Sequence, residues 1–295
     1  MKITPTKYDL RDWAKLVPGH GDLLFFDKRH SSLMKSIGAP VLTADQVRAQ
    51  SVSIWNLQAR SWYGYALNNA SYAVYLPSGV LDQLSRSNVK KIGEIQIKLG
   101  VPSLIETIDL PDEVRDTCLK IGKYSWITSK VFSAFKDNRT RAKVMRAWIK
   151  QNDVHLYDSQ SWTDLPANAK RTLESIGLSK FLNTYAEYSG PNCFATVAAA
   201  IAAKPGLADQ WLYWLPLKLF LKEQGYRIIK ASPPQARDIL VFIKGGVAIH
   251  AAVYLGENLY FEKPGQDFYE PWRVEHFDHW KAEWAGCKLS IFRKP

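Results

Sequence analysis

The chain has 295 residues, of which 46% are hydrophobic and 23% charged, so its composition is that of a globular protein and excludes a wholly disordered one. Its length predicts about two domains, and no uninterrupted apolar run approaches the roughly 20 residues that a membrane-spanning helix needs. The formal net charge of +11 is spread along the chain rather than held in a tail. Such a charge favours association with polyanions but does not define a function.

The start of the chain and the cysteines bear on the compartment. The segment Met1–Pro5 carries a charge but no apolar stretch, which predicts a protein without a secretory signal and therefore cytoplasmic. A secreted or cell-wall protein whose leader had been removed would look the same. The three cysteines Cys118, Cys193 and Cys287 cannot all pair, so at least one thiol is free.

Residues 1–165 are predicted to form a mostly helical N-terminal domain, to which the sequence assigns no role. Thr43 and Gln46 have the spacing of a capping box that opens a helix. Pro111 followed by two acidic residues marks the start of another helix. The segment from Gly21 to Phe26 is the exception, because its composition allows a short strand.

A basic stripe is predicted in the same region. Its members recur at intervals of three and four residues, which places them on one face of a helix: Lys136, Arg139, Lys143, Arg146 and Lys150. Apolar residues such as Val144 and Trp148 lie towards another face. The stripe could contact an anionic polymer or a membrane surface. The alternative is an ordinary solvated face of an amphipathic helix.

Residues 166–295 are predicted to form an α+β domain, with helices first and an antiparallel sheet after them. One helix runs from Cys193 to Ala203 and a second from about Ala208 to Glu223. Five strand-like runs follow, separated by turns: Tyr226 to Ile229, Asp238 to Ile243, Val247 to Leu255, Leu259 to Glu262, and Lys288 to Phe292.

Cys193 begins a helix directly after a Gly-Pro-Asn turn. The N–H groups of a first helical turn and the positive end of the helix dipole stabilise a thiolate, which is the reactive form of cysteine. The same N–H groups can bind the oxyanion that forms on an attacked carbonyl. Cys193 is therefore a candidate nucleophile, and the alternative is a buried structural cysteine.

His250 interrupts an otherwise apolar strand. With a period of two it would share one face with Ala248, Ala252 and Tyr254, where small neighbours leave room for a general base. The alternative is a core histidine whose polar atoms are satisfied. If the following hairpin is symmetric about Gly256, position 250 pairs directly with Glu262, which could then orient the imidazole.

A different turn would change that pairing. A two-residue turn at Glu257-Asn258 would place Gly265 opposite His250, and Glu262 would then be an acidic residue at the end of a strand. Lys263 and Gln266 are nearby polar positions, for which we expect substitutions to have smaller effects than at Glu262.

Three segments, Asn192–Phe194, Arg237–Phe242 and Ala248–Gly256, together resemble the NlpC/P60 group of papain-like cysteine peptidases. In that group a cysteine at a helix start precedes a strand of the form G-D-[LI]-V-F. A strand of the form H-[VA]-[GA]-[IV]-Y-L-G then carries the histidine, and a polar residue on the next strand orients it.

There are departures from that pattern. Arg237 stands where the group usually has glycine, Pro191-Asn192 precedes the cysteine in place of the commoner aspartate, and a glutamate as third residue resembles the CHAP branch. The resemblance covers roughly residues 185–295.

The resemblance implies a cysteine hydrolase with a papain-like fold, in which Cys193 is the nucleophile, His250 the base and Glu262 the orienting residue. It also implies a cell-wall substrate, a peptide of peptidoglycan, and no metal or organic cofactor. His276 and His279 lack a third ligand at metal-type spacing. Two alternatives remain: an acyltransferase or thioesterase acting on lipid or protein acyl groups, and a non-catalytic module that binds a polyanion through the basic stripe.

Overall fold

The computed structural model describes residues 1–17, 20–43, 46, 62, 70–152, 157–230, 232–279 and 284–295. The chain divides into two compact units. The first comprises residues 6–154, and the second combines residues 1–5 with 155–295. Both units mix helices with antiparallel strands, as expected for the α+β class.

The described part of the first unit contains short helices and two three-stranded antiparallel sheets, with strand orders β1-β3-β2 and β4-β6-β5. Its helices are α1 (Lys7–Trp13), α2 (Ser31–Ile37), α3 (Arg86–Lys98), α4 (Asp112–Arg115), α5 (Ser129–Ala134) and α6 (Asn138–Gln151). Its strands are β1 (Gly21–Phe26), β2 (Val41–Thr43), β3 (Tyr72–Pro77), β4 (Leu104–Glu106), β5 (Leu119–Ile121) and β6 (Tyr124–Trp126).

These elements confirm some of the predictions for the N-terminal region and correct others. The short strand from Gly21 to Phe26 is present as β1. Both hydrogen bonds of the capping box are present, since Thr43 N donates to Gln46 Oε1 at 2.8 Å and Gln46 N donates to Thr43 Oγ1 at 3.1 Å. The helix predicted beyond Gln46 lies outside the described residues. The prediction of a mostly helical region is incomplete, because it missed the two sheets.

The basic stripe lies largely on α6, which buries Val144 and Trp148 as predicted. Lys136 precedes the helix. Two of the stripe's lysines are neutralised locally, since Lys143 pairs with Glu113 at 2.7 Å and Lys150 with Asp109 at 2.5 Å. Exposed pairs of this kind add little stability. They nevertheless reduce the positive charge that the stripe offers to a polyanion.

The second unit is built on a six-stranded antiparallel sheet, in the order β11-β10-β9-β8-β12-β7. Its strands are β7 (Arg227–Ile229), β8 (Ile239–Lys244), β9 (Val247–Gly256), β10 (Leu259–Glu262), β11 (Arg273–His276) and β12 (Lys288–Arg293). Its helices are α7 (Ala167–Ser175), α8 (Cys193–Ala202) and α9 (Trp214–Glu223). Helices α7 and α8 both contact β9, and their apolar side chains form one core with the sheet.

The five predicted strands are all present, and β11 is an addition that the sequence reading missed. Helix α8 begins at Cys193 as predicted. The second helix begins later than expected, at Trp214 rather than near Ala208. Pro216 explains the difference, because a proline is tolerated in the first turn of a helix but breaks the hydrogen bonding of a helix interior.

The first residues of the chain are part of this second unit. The Met1 ammonium group donates to Ser159 O at 2.6 Å, Ile3 N donates to Tyr157 O at 3.0 Å, and Tyr185 OH donates to Ile3 O at 2.9 Å. The side chain of Ile3 is buried. None of the helices in the described part of either unit combines the length and the apolar composition needed to cross a membrane.

Candidate functional site

Cys193 is the first residue of α8, and Asn192 caps the helix. Asn192 Oδ1 accepts from Ala195 N at 3.0 Å, while its Nδ2 donates to Leu212 O at 2.8 Å. An aspartate at this position could supply the first bond but not the second, which gives a physical reason for the asparagine. Cys193 is thus fixed at the positive end of the helix, with only 6% of its surface exposed.

A β-bulge determines which face of β9 carries His250. Phe242 on β8 pairs with His250, but the next residue, Ile243, pairs with Ala248, so Ile249 is an extra residue in the ladder. Ala248 consequently packs in the core beneath the helices, whereas Ala252 and Tyr254 pack in a second cluster. The prediction that His250 shares a face with Ala248 is therefore wrong.

The hairpin between β9 and β10 has the two-residue turn rather than the symmetric one. Glu257 and Asn258 both have positive φ, of 53° and 60°, and Gly256 pairs with Leu259. The register then shifts by one residue after Leu259, so that Tyr260 pairs with Tyr254. The predicted direct pairing of His250 with Glu262 is wrong.

His250 and Glu262 nevertheless meet. Continuing the register places Glu262 beside Ala252, which makes it a diagonal neighbour of His250 on the same face of the sheet. His250 Nε2 lies 2.6 Å from Glu262 Oε2, and both side chains are only 1% exposed. The two residues that the sequence singled out form a buried hydrogen-bonded pair.

The electrostatics of this pair favour a charged imidazole. Burial by itself lowers the pKa of His250, but its electrostatic interactions with Cys193 and Glu262 outweigh burial and raise the pKa to about 10. Burial likewise disfavours the charged form of Glu262, and the cationic groups of Arg273 and His250 overcome it and lower the pKa of this carboxyl. Because Nε2 faces Glu262, Nδ1 is the ring nitrogen left for the thiol.

Arg273 is a member of the cluster that the sequence reading missed. It lies directly opposite Glu262 on β11, and its Nε donates to Glu262 Oε1 at 2.7 Å. Its guanidinium group lies 4.8 Å from the ring of Tyr157. The sequence Trp272-Arg273-Val274-Glu275 alternates apolar and charged residues, which indicates a strand, but such a charged face is usually solvated. Here both charged residues are buried, and the guanidinium group of Arg273 lies against the carboxylate of Glu262.

Two aromatic rings lie beside the imidazole. Trp284 stacks on His250, with ring centroids 4.8 Å apart and planes inclined by 9°, and Phe242 lies 6.4 Å away. An aromatic face stabilises a cation and excludes water from the hydrogen bond beside it. Trp284 follows a Lys-Ala-Glu sequence with no strand pattern, so nothing in the sequence connected it to His250.

The other candidate residues lie outside this cluster. Cys118 belongs to the first unit, where burial raises the pKa of its thiol to about 11. Cys287 is half-buried near Trp284, to which it is joined by a backbone hydrogen bond. His276 contacts Gln160 at 3.1 Å and His279 pairs with Glu275 at 3.0 Å. Among the described residues, no cluster of His, Cys, Asp and Glu side chains is arranged to hold a metal ion.

Comparisons with protein-family models, with curated proteins and with solved structures give no match. The interpretation of the site therefore depends on its own geometry. That geometry joins a cysteine at a helix N-terminus, a histidine with a raised pKa and a buried glutamate, an arrangement suited to nucleophilic attack on a carbonyl group.

Proposed function

We propose that the chain is a cysteine hydrolase that cleaves an amide bond. The main support for the proposal is the buried 2.6 Å contact between His250 Nε2 and Glu262 Oε2, on a histidine that also interacts with Cys193. A histidine with a purely structural role does not need both an anionic partner on one side of its ring and a thiol at a helix N-terminus on the other side. A nucleophile, a base and an orienting carboxylate require this order of contacts.

The reaction follows from the positions of the three side chains. The Cys193 thiolate attacks the carbonyl carbon, and the negative charge moves to the carbonyl oxygen near the N-terminus of α8. In the described part of the chain no hydrogen bond uses the N–H of Cys193 itself, whereas that of Ala195 is used by Asn192. The His250 imidazolium then gives its proton to the leaving amine, and a thioester remains on Cys193.

Deacylation uses the same groups in reverse. His250, now neutral, takes a proton from a water molecule, the hydroxide attacks the thioester, and the acid leaves as the thiolate is restored. Glu262 holds the imidazole in place and stabilises its cationic form in both halves of the reaction. Arg273 holds Glu262 in turn, through its two contacts with Oε1 at 2.6 and 2.7 Å.

The substrate class rests on the resemblance to the NlpC/P60 group, and we propose a peptidoglycan peptide. The test is incubation with purified peptidoglycan peptides, with the products identified by mass spectrometry and the Cys193→Ala variant as control. Cleavage of one amide bond by the parent chain alone would support the proposal. Intact peptides together with a Cys193 thiol that resists a thiol-reactive probe would favour a non-catalytic binding module instead.

A specific observation supports acyl transfer as a second candidate function. The segment that follows Leu212, whose carbonyl binds the helix cap Asn192, exposes the apolar side chains of Tyr213, Leu215 and Leu219 to between 54% and 63%. Apolar exposure beside a nucleophile suits a substrate with an acyl chain. Trapping the acyl-enzyme and offering it water, an amine or a lipid acceptor would distinguish the two reactions.

A further inference from the structure

The loop between β10 and β11 contains a lysine that no step of the proposed reaction uses. Lys263 is fully buried, and its ammonium group donates to Gly265 O at 3.1 Å and to Asp267 O at 2.9 Å. The ammonium nitrogen also lies 5.5 Å from the centre of the Trp272 ring. Burying a charge is costly unless strong partners compensate, so a lysine in this position calls for an explanation.

A second buried charge stabilises the same loop from within. The Glu270 carboxylate accepts from Asp267 N at 2.8 Å and from Tyr157 OH at 3.3 Å. It fills the space that a side chain at position 265 would occupy, since a Cβ there would lie 2.2 Å from Glu270 Oε2. The loop of residues 263–270 is thus folded around one ammonium and one carboxylate group.

This loop holds the turn that leads into Cys193. Gly190 N donates to Gln266 O at 2.8 Å, and Phe268 N donates to Ser189 Oγ at 3.0 Å. Beyond the loop, Trp272 Nε1 donates to Thr196 Oγ1 on α8 at 2.9 Å. The indole ring of Trp272 therefore lies near the Lys263 ammonium group and also donates a hydrogen bond to α8, the helix that begins at Cys193.

We propose that Lys263 is a positioning residue for Cys193: its buried ammonium group fixes the loop of residues 263–270 against the turn before the cysteine and holds a positive charge near the thiol. The inference rests on the proposed role of Cys193 as the nucleophile. It replaces the expectation from the sequence that Lys263 is a polar position of minor effect.

The charges around Lys263 agree with this role. Burial lowers the pKa of Lys263 to about 8, while Glu270, Asp267 and Cys193 act in the opposite direction. Burial raises the pKa of Glu270 to about 7, so the carboxylate that faces the ammonium is only partly charged at neutral pH. With a pKa of about 8, the Lys263 side chain is mostly charged at pH 7 and uncharged near pH 10.

The test is the alkylation rate of Cys193 by iodoacetamide between pH 6 and 10, with Cys118 and Cys287 replaced by alanine and labelling followed by mass spectrometry. Lys263→Met should slow alkylation about tenfold at pH 7, because the thiolate is the reactive form. The two rates should converge near pH 10, where Lys263 of the parent chain is neutral and neither protein has a positive charge at position 263. Lys288→Met, which removes an exposed lysine from β12, should leave the rate unchanged at every pH.

Two outcomes of the alkylation experiment would overturn the inference: rates that are equal at every pH, or a loss that is equal at every pH and so reflects geometry without charge. Should Lys263→Met fail to fold, a second measurement decides. The pKa of Lys263, followed by NMR on labelled lysine side chains, should fall in Cys193→Ser, because coupling between two charges is reciprocal. An identical pKa in both proteins would contradict the inference.

Failure of the inference can be told apart from failure of the proposed function. If Cys193 in the parent chain reacts no faster at pH 7 than a cysteine in an unstructured peptide, then it is not an activated nucleophile and the proposed function fails. If Cys193 reacts rapidly both in the parent chain and in Lys263→Met, only the role of Lys263 is wrong.

Discussion

Asp22 in the first unit and Glu262 in the second are both buried carboxyl groups, but the groups that they bind differ. In the first unit Asp22 accepts from Ser129 N at 2.7 Å, and Gln96 bonds both the N–H and the C=O of Phe25. These side chains satisfy backbone groups, which is the usual purpose of a buried polar residue. In the second unit Glu262 instead binds two ionisable side chains, His250 and Arg273, which in turn lie near a thiol.

That difference is informative about function. A buried polar side chain that completes backbone hydrogen bonding and lies near no reactive group needs no further role, and the fold accounts for it. Ionisable groups that are buried against one another cost free energy that stability alone does not require, and such groups concentrate at functional sites. The following predictions test whether the contrast between the units holds.

The largest effect is expected at Cys193. Cys193→Ala should reduce turnover at least a thousandfold, because no other group can form the thioester. Alanine is well tolerated at a helix start, so the melting temperature should change little. Cys118→Ala and Cys287→Ala are matched controls and should retain activity. Wild-type turnover by the Cys193 variant would show that the cysteine mechanism is wrong.

The next largest effect is expected at Glu262. Glu262→Gln preserves an acceptor for the imidazole but removes the charge that stabilises its cation, so kcat should fall at least a hundredfold with little change in KM. Glu262→Ala should lower kcat further and cost about 3 kcal/mol of unfolding free energy, because Arg273 stays buried but loses its two short contacts with the Glu262 carboxylate.

The control for Glu262 is Glu257→Gln, which removes an exposed acidic residue from the turn of the same hairpin. Steady-state kinetics on all three variants, with urea unfolding to check the fold, make the comparison. A Glu262→Gln variant as active as Glu257→Gln would exclude an orienting role for Glu262.

The stability of the second unit should depend on pH through the same pair. The pKa of His250 is raised to about 10 in the folded protein, so its contribution to stability is complete below about pH 6.5 and is lost as the pH rises through 10. The pKa of Glu262 is lowered, so its contribution is present above about pH 4.5 and is lost on acidification.

Urea unfolding between pH 5 and 10 measures this dependence, with tryptophan fluorescence as the signal. The unfolding free energy of the parent chain should decline from pH 6.5 towards pH 10, and the decline should be smaller in His250→Gln. Parallel curves for the two proteins would mean that His250 does not titrate with a raised pKa.

The smallest effect is expected at Arg237, the position where the NlpC/P60 group usually has glycine. Its φ is 73°, in the left-handed region that costs an L-residue about 1 kcal/mol. Arg237→Gly should therefore raise the unfolding free energy slightly, by up to about 1 kcal/mol, without changing kcat. Arg227→Gly, on an exposed strand position, should lower it by a similar amount. A loss of stability in both variants would contradict the prediction.

The sequence predicted the elements that carry the site but not their exact pairing. Cys193 stands out because it begins an apolar helix, and His250 because it interrupts an apolar strand. Both features can be recognised from the sequence, because periodicity and helix capping depend only on residues that are near one another in the chain. The contact between His250 and Glu262 depended on a register, and the register was altered by a bulge at Ile249 and a second shift after Leu259. Local composition does not reveal such one-residue shifts.

Residues whose role depends on tertiary neighbours were missed for a different reason. Arg273 and Lys263 are charged residues, which are usually exposed, and only the contacts that they make in the folded chain explain why they are buried. Trp284 reaches His250 from a segment more distant in the chain. Contacts of this kind require the fold, because neither spacing nor composition connects the members.

The hydrogen bond between Ile3 and Tyr157 has a consequence for the connectivity of the chain. Because residues 1–5 and 155–295 form one unit, residues 6–154 constitute an insertion within it, and Ile3 and Tyr157, which are close in sequence to its two ends, are hydrogen-bonded to each other. Insertions whose ends meet in this way can be excised or replaced by a short linker. A chain that joins residue 5 to residue 157 through a few glycines should retain the candidate site, whereas one that starts at residue 166 would lose the buried Ile3 and both members of the bridge between Lys2 and Asp158.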